Sequence, residues 1–178
     1  RAYWRQRMLY RALRQSCDRV ITVSGSVRSH HLRRSGLSAN KVVTIHNGIE
    51  LDRFTAPTQE QREALWASFG VPQDAPLIVA VAVLRAAKGV QHLIDAAPAI
   101  LRSQSEARVL IVGTGSYESS LRERVTALGI GDRVIFAGHR EDVPVVLSAG
   151  DVFVLPTLRD ALPTVVIEAM AAGTPVVA

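Results

Sequence analysis

From Leu77 onward, short apolar runs of β character alternate with helix-length segments, and the loops between them are brief. Strands are expected at 77–84, 108–112, 133–137 and 152–155, with another opening at 175–178. Helices are expected at about 90–102, 117–128, 143–149 and from Pro163 onward. Strands alternating with helices in this way build a parallel sheet through right-handed crossovers, with helices on both faces. The fold class is therefore α/β, a Rossmann-like parallel sheet. In such a sheet every strand C-terminus lies on one edge, and ligands bind in the crevice there. That edge collects Arg85, Lys88 and Gly89, then Gly113, Thr114, Gly115 and Ser116, then Gly138, His139 and Arg140, then 157–160. Basic groups, glycines and carboxylates on one rim suit a nucleotide with a phosphate chain and sugar hydroxyls. The opposite edge (103–105, 128–132, 149–151) reads as plain connectors.

Upstream, 19–23 reads as a strand, and Ser26 is placed to cap a helix running to about residue 34, which Gly36 ends. A second strand at 41–45 is closed by the turn pair Asn47-Gly48, completing a βαβ unit. Between 50 and 76 the composition shifts, with Pro57, Pro72, Pro76 and one polar helix at about 59–69. The domain junction is expected here, giving 1–49 as the end of one Rossmann-like domain and 50–178 as a second. At 178 residues the chain is long enough for one domain or parts of two. It starts at Arg1 rather than Met and stops within a strand-like run, so it reads as an internal fragment. Cys17 is the lone cysteine, and the longest apolar run, 77–84, is far short of a membrane span. A cytoplasmic setting fits.

The charge is uneven. Residues 1–34 hold nine arginines against Asp18 alone, a net of +8, whereas the rest carries 12 basic and 15 acidic residues. Trp4, Met8 and Leu9 share one face of a helical 1–14, flanked by Tyr3, Tyr10 and Leu13. This segment reads either as peripheral contact with an anionic membrane at the inner face of the cell membrane, or as an amphipathic helix packed on its own domain.

The last nineteen residues carry the most informative chemistry. Pro163 suits a helix's first turn, Gly173 the position past its end, and Pro175 bars continuation. Between them the helix is apolar nearly all round, as in one buried on most sides. Glu168 is the only charge after Asp160, and its side chain leans back toward the helix N-terminus, on the side of Asp160. Two carboxylates at one helix mouth suit a ligand rich in hydroxyls; the plain alternative is a solvated Glu and a loop Asp. Gly113 and Gly115 let the backbone approach an anion. The third glycine of a dinucleotide fingerprint is replaced by Glu118, and 133–137 ends in no acid, which argues against NAD and leaves mononucleotides open. Lys88 and Arg85 could clamp a diphosphate, or be two surface cations. His139 is read as an ordinary loop histidine. No Asp-x-Asp pair exists, and His30, His31 and His46 have no carboxylate at ligand spacing, so no metal and no cofactor is expected.

Taken in order, these segments resemble the retaining glycosyltransferases of family four, which have the two-domain GT-B fold. The matching pieces are Val20-Ile-Thr-Val-Ser24, 42–49 with Asn47-Gly48, Phe54, Leu84-Arg-Ala-Ala-Lys88-Gly89, Leu110-Ile-Val-Gly-Thr-Gly115, 134–138 and Ala149-Gly-Asp-Val-Phe-Val-Leu-Pro156. The series ends with the Glu-x7-Glu element at Asp160–Glu168, leading into Ala-Met-Ala-Ala-Gly-Thr-Pro-Val-Val. The resemblance implies an acceptor-side domain in 1–49 and a donor-binding domain in 50–178. It implies transfer of a hexose-type sugar from a nucleoside-diphosphate sugar to a sugar, polysaccharide or lipid-linked acceptor, with no nucleic acid involved. Lys88, with Arg85, would contact the donor diphosphate. Glu168 would hold the ribose hydroxyls, Asp160 would face the transferred sugar, and Gly113, Gly115, Leu162, Pro163 and Thr164 would complete the donor site. Two departures stand out. Residue 160 is Asp where the family usually has Glu, and Val83 occupies the place of a phosphate-binding Arg. The polypeptide alone is expected to lack transferase activity. The alternatives are another GT-B sugar-nucleotide enzyme such as an epimerase, a non-catalytic nucleotide-binding domain, and a polyanion-binding module resting on the arginines of 1–34.

Overall fold

The computed structural model describes residues 8–10, 12, 16–55 and 57–178. The chain divides into two compact units, Arg1–Gly48 and Ile49–Ala178.

In the first unit, β1 (Val20–Thr22) and β2 (Val42–Thr44) pair in parallel around α1 (Gly25–Ser35). The helix begins two residues earlier than expected. Ser24, not Ser26, is its cap: its hydroxyl accepts from the Val27 N–H at 3.3 Å, while Ser26 meets only the Ser24 hydroxyl at 3.0 Å. Gly36 ends the helix at φ 62°, the left-handed value a residue without Cβ takes freely. Arg28 ties α1 to β2 by donating to the Val42 and Ala39 carbonyls. Of the apolar face expected in 1–14, Trp4, Tyr3 and Leu13 lie outside the described residues. Met8 and Leu9 are exposed, and the Tyr10 ring meets His31 of α1 edge-on at 5.6 Å.

The second unit contains α2 (Gln59–Ser68), β3 (Leu77–Val81), α3 (Val90–Ser103), β4 (Arg108–Val112), α4 (Glu118–Ala127), β5 (Val134–Gly138), α5 (Val143–Ala149), β6 (Val152–Val154), α6 (Thr164–Ala171) and β7 (Val176–Val177). Its five strands are all parallel, in the order β5-β4-β3-β6-β7. The two-residue period of the strands divides the core cleanly. Leu77 and Val79 of β3 and Leu110 and Val112 of β4 pack with Leu65 and Trp66 of α2, Val146 and Leu147 of α5, and Ala169 of α6. Ala80, Val109 and Ile111 point the other way, onto Leu93, Ile94 and Ala97 of α3 and Leu121 and Val125 of α4. Each strand is thus apolar on both sides, which is why it reads as a continuous hydrophobic run.

Three details depart from expectation. β3 stops at Val81, three residues early, although Ala82 and Leu84 still donate to the Val112 and Thr114 carbonyls. Pro163 caps α6 from just outside rather than sitting in its first turn. And α6 is not buried on most sides: among its residues only Ala169 is fully buried, and Met170 is 66% exposed. Its C-terminus behaves as expected, with Gly173 at φ 77° and a Schellman pair, Gly173 N–H to Met170 O and Thr174 N–H to Ala169 O. The edge expected to hold plain connectors carries a hub instead. Asp151 accepts from the Leu77 N–H at 2.7 Å and from Arg62 at 3.4 Å, beside a second cavity of about 710 Å³.

Gly89 is set by backbone contact. It has φ 73°, and a Cβ there would lie 1.6 Å from the Pro156 carbonyl oxygen. Gly89→Ala is expected to lower the unfolding free energy by about 2–4 kcal/mol, from left-handed strain and displaced backbone together. Gly131→Ala, whose added Cβ meets nothing within 4 Å, should change it by less than about 0.5 kcal/mol. Urea titration followed by circular dichroism measures both.

Candidate functional site

The strand order reverses direction at β3. The chain steps outward from β3 to β4 to β5, then returns to place β6 on the other side of β3. The loops after β3 and β6 therefore leave in opposite directions and open a crevice between them. A cavity of about 810 Å³ occupies this point, lined from every loop on that edge. It receives Val83 and Lys88 from the β3–α3 loop, Gly113 and Thr114 from the β4–α4 loop, and His139, Arg140 and Glu141 from the β5–α5 loop. Asp160, Leu162 and Pro163 come from the β6–α6 loop, with Thr164 and Glu168 from α6 itself.

Lys88 closes a 3-10 turn (Ala86–Lys88) just before Gly89, and its ammonium donates to Asp160 Oδ2. The Asp160 Oδ1 accepts from the Ala161 N–H at 2.8 Å. Burial pushes the Asp160 carboxyl up, but hydrogen bonding and charge from Lys88, with the backbone N–H groups of Ala161 and Leu162, hold it below the usual carboxylate range. Glu168 behaves oppositely. Half-buried on α6, it is pushed up by burial, with Arg53 pulling it partly back.

Of the residues singled out from sequence, Lys88, Gly113, Asp160, Leu162, Pro163, Thr164 and Glu168 meet at this cavity, and Arg85 and Gly115 do not. Arg85 is exposed beyond it, because the chain turns back where its N–H donates to the Val83 carbonyl at 2.8 Å. Val83, 53% exposed, faces the cavity instead. The two glycines serve loop packing. A Cβ on Gly113 would lie 1.9 Å from the Ala82 carbonyl oxygen, and one on Gly115 2.2 Å from that of Leu84. Sequence reasoning missed Arg53, which lines the cavity beside Phe54 with only a 3.9 Å contact to Glu50. It also missed that Asp142 grips Arg140 through two of its guanidinium nitrogens, Nε at 2.6 Å and Nη2, while Phe69 lies under its face at 4.9 Å. Arg140-x-Asp142 beside a glycine-ended strand was the available signal. Among the described residues no three His, Cys, Asp or Glu gather as a metal site.

This is the fold of the GT-B glycosyltransferases. The crystal structure of Anabaena HepE in complex with UDP and glucose matches with a TM-score of 0.89 at 24% identity, covering 99% of this chain and 48% of that one. Sucrose-phosphate synthase from Thermosynechococcus elongatus matches with a TM-score of 0.81 at 30% identity, covering 97% and 43%. The profile of the family described as glycosyl transferases group 1 matches residues 61–178, and that of glycosyltransferase family 4 matches residues 1–53. An uncharacterised glycosyltransferase of Methanocaldococcus jannaschii is 34% identical over 96% of this chain and 44% of its own length. The GDP-mannose-dependent monoacylated alpha-(1-6)-phosphatidylinositol monomannoside mannosyltransferase of Corynebacterium glutamicum is 34% identical over 74% of this chain and 36% of its length. The chain belongs to the glycosyl transferases group 1 family, and it spans less than half the length of these two curated relatives.

The two carboxylates give opposite stability signatures. Asp160 titrates lower when folded, so its contribution is present above the ordinary Asp range and is lost as pH falls through the folded value. Asp160→Asn should therefore lower the urea midpoint at pH 7, with the deficit fading in acid. Glu168 titrates higher when folded, so its contribution is complete below the ordinary Glu range and is lost as pH rises through the folded value. Glu168→Gln should raise the midpoint at pH 7, and the gain should vanish below about pH 4. Urea midpoints across that range decide both signs.

Proposed function

We propose that this protein is a retaining glycosyltransferase, which moves a hexose-type sugar from a nucleoside-diphosphate sugar to an acceptor hydroxyl in glycan, polysaccharide or glycolipid synthesis. One observation carries the reading: Lys88, Asp160 and Glu168, from three separate elements, line one cavity at the reversal point of a parallel sheet. Lys88 takes the diphosphate, Glu168 the ribose hydroxyls, and Asp160 the transferred sugar. Gly113, Leu162, Pro163 and Thr164 frame the nucleotide. In the reaction the anomeric C–O bond to the diphosphate breaks, and the bonding pair leaves on the phosphate oxygen. A fixed cation at that oxygen stabilises the transition state more than the ground state, which is what lowers the barrier. The new bond forms from the acceptor oxygen, whose proton is released, on the face that keeps the anomeric configuration. The named chemistry of the relatives supports this class: one is GDP-mannose-dependent, and HepE crystallises with UDP-glucose.

Residues 50–178 are then the donor-binding domain, and 1–49 belong to the acceptor side. The arginine-rich 1–34, with Met8 and Leu9 exposed, are proposed to touch an anionic membrane in a cytoplasmic setting, where lipid-linked acceptors are met. Among the described residues no helix is long and apolar enough to cross a membrane.

Calorimetry of this chain with UDP and GDP tests the donor site. At least one should bind, and Lys88→Ala and Glu168→Ala should each weaken it about tenfold or more, the scale of one lost charged contact. Unchanged binding in both variants would contradict the site. In the full-length enzyme, labelled UDP-glucose or GDP-mannose should yield glycosylated acceptor with the donor's anomeric configuration. Free sugar without a glycosylated product would point to an epimerase instead.

A further inference from the structure

At the cavity Lys88 and Asp160 hold each other. Their side chains are only 27% and 18% exposed, and the loops that carry them are stitched together. The Ala87 carbonyl accepts from the Leu158 N–H at 3.0 Å and from the Thr157 hydroxyl at 3.3 Å, and Gly89 lies directly against Pro156. This is a built contact, unlike a meeting of two free surface chains. Both carboxylate oxygens of Asp160 are committed, one to Lys88 and one to the Ala161 N–H. The cavity's other cations differ: Arg140 is gripped by Asp142, and Arg53 is 59% exposed, with a long contact to Glu50 and a charge interaction with Glu168.

We propose that Asp160 is a specificity-determining residue, which competes for Lys88 and thereby makes the site favour the complete sugar nucleotide over the nucleoside diphosphate it becomes. This rests on the donor-site reading above. A diphosphate that takes Lys88 draws it away from Asp160, because one ammonium carries a single charge and cannot neutralise both anions. When the diphosphate stands alone, the carboxylate then has no cation and faces like charge in a half-covered site, which is unfavourable. When a sugar is still attached, its hydroxyls donate to Asp160 and replace the bond that Lys88 gave up. Both oxygens of the carboxylate are partnered in the donor complex, whereas in the product complex it keeps only its backbone N–H donor and has no cation. No bond is made or broken in this exchange. Its effect is to hold the substrate and to expel the spent nucleotide, with Lys88 returning to Asp160 as the product leaves.

The test is calorimetric, with four probes (UDP, UDP-glucose, GDP and GDP-mannose) against the 178-residue chain and its Asp160→Asn and Asp160→Ala variants. Wild type should bind at least one sugar nucleotide at least fivefold more tightly than the matching diphosphate. In both variants the bare diphosphate should bind at least threefold more tightly than in wild type, bringing the ratio close to one. A wild-type ratio near one overturns the inference whatever the variants do, as does a variant that binds the diphosphate no better than wild type. If wild type binds none of the four probes, the donor-site reading falls, and this inference with it.

Discussion

The site depends on a backbone contact. At the reversal point of the sheet, the loop after β3 is pressed onto the loop after β6, with Gly89 against the Pro156 carbonyl and Ala87 accepting from Thr157 and Leu158. Neither loop belongs to the other's βα unit, and about 70 residues separate them. The parallel sheet brings their origins together, and the missing Cβ lets them close. Lys88 and Asp160 sit on the two sides of that seam. A similar close approach, Gly113 against Ala82 and Gly115 against Leu84, fixes the β4–α4 loop alongside. The cavity is therefore shaped mainly by carbonyls packed on glycines, with the charged side chains mounted on that frame.

Electrostatics then separates the two carboxylates. Asp160 has a cation and two backbone donors, which outweigh its burial and hold its carboxyl below the ordinary range. Glu168 is half-buried on an apolar helix with Arg53 as its distant counter-charge, so burial dominates and its carboxyl titrates high. A high-titrating carboxylate lacking a close partner has unused hydrogen-bonding capacity. A carboxylate already bonded at both oxygens must give something up before it binds anything else. The first arrangement suits a permanent contact to a ligand's hydroxyls, and the second an exchange.

Much of this was legible in the sequence, and the reasons are specific. The β-branched runs starting at Leu77, Arg108, Val134 and Val152 are apolar on both faces because each strand is covered twice. That forced a doubly covered parallel sheet, and topology alone then placed Lys88, Gly113 and Asp160 on one edge, with Glu168 set on the side of Asp160 by the backward lean of helix side chains. Three things were not legible. The turn after Leu84, which presents Val83 to the cavity and sends Arg85 outward, depends on a local hydrogen bond that no periodicity reports. Arg53 precedes the sheet in a segment that sequence alone marks as a linker, and only packing brings it to the cavity. The exposure of Met170 likewise has no signature in a helix whose composition is apolar all round.

The most direct measurement of whether this edge is the nucleotide site is an amide chemical-shift titration of the chain with UDP and with GDP. Saturable shifts should concentrate at Gly89, Gly113, Ala161 and Thr164, whose loops converge on the cavity. Shifts gathered instead around Asp74 and Asp151 on the opposite edge, or no saturable shift with either nucleotide, would contradict it.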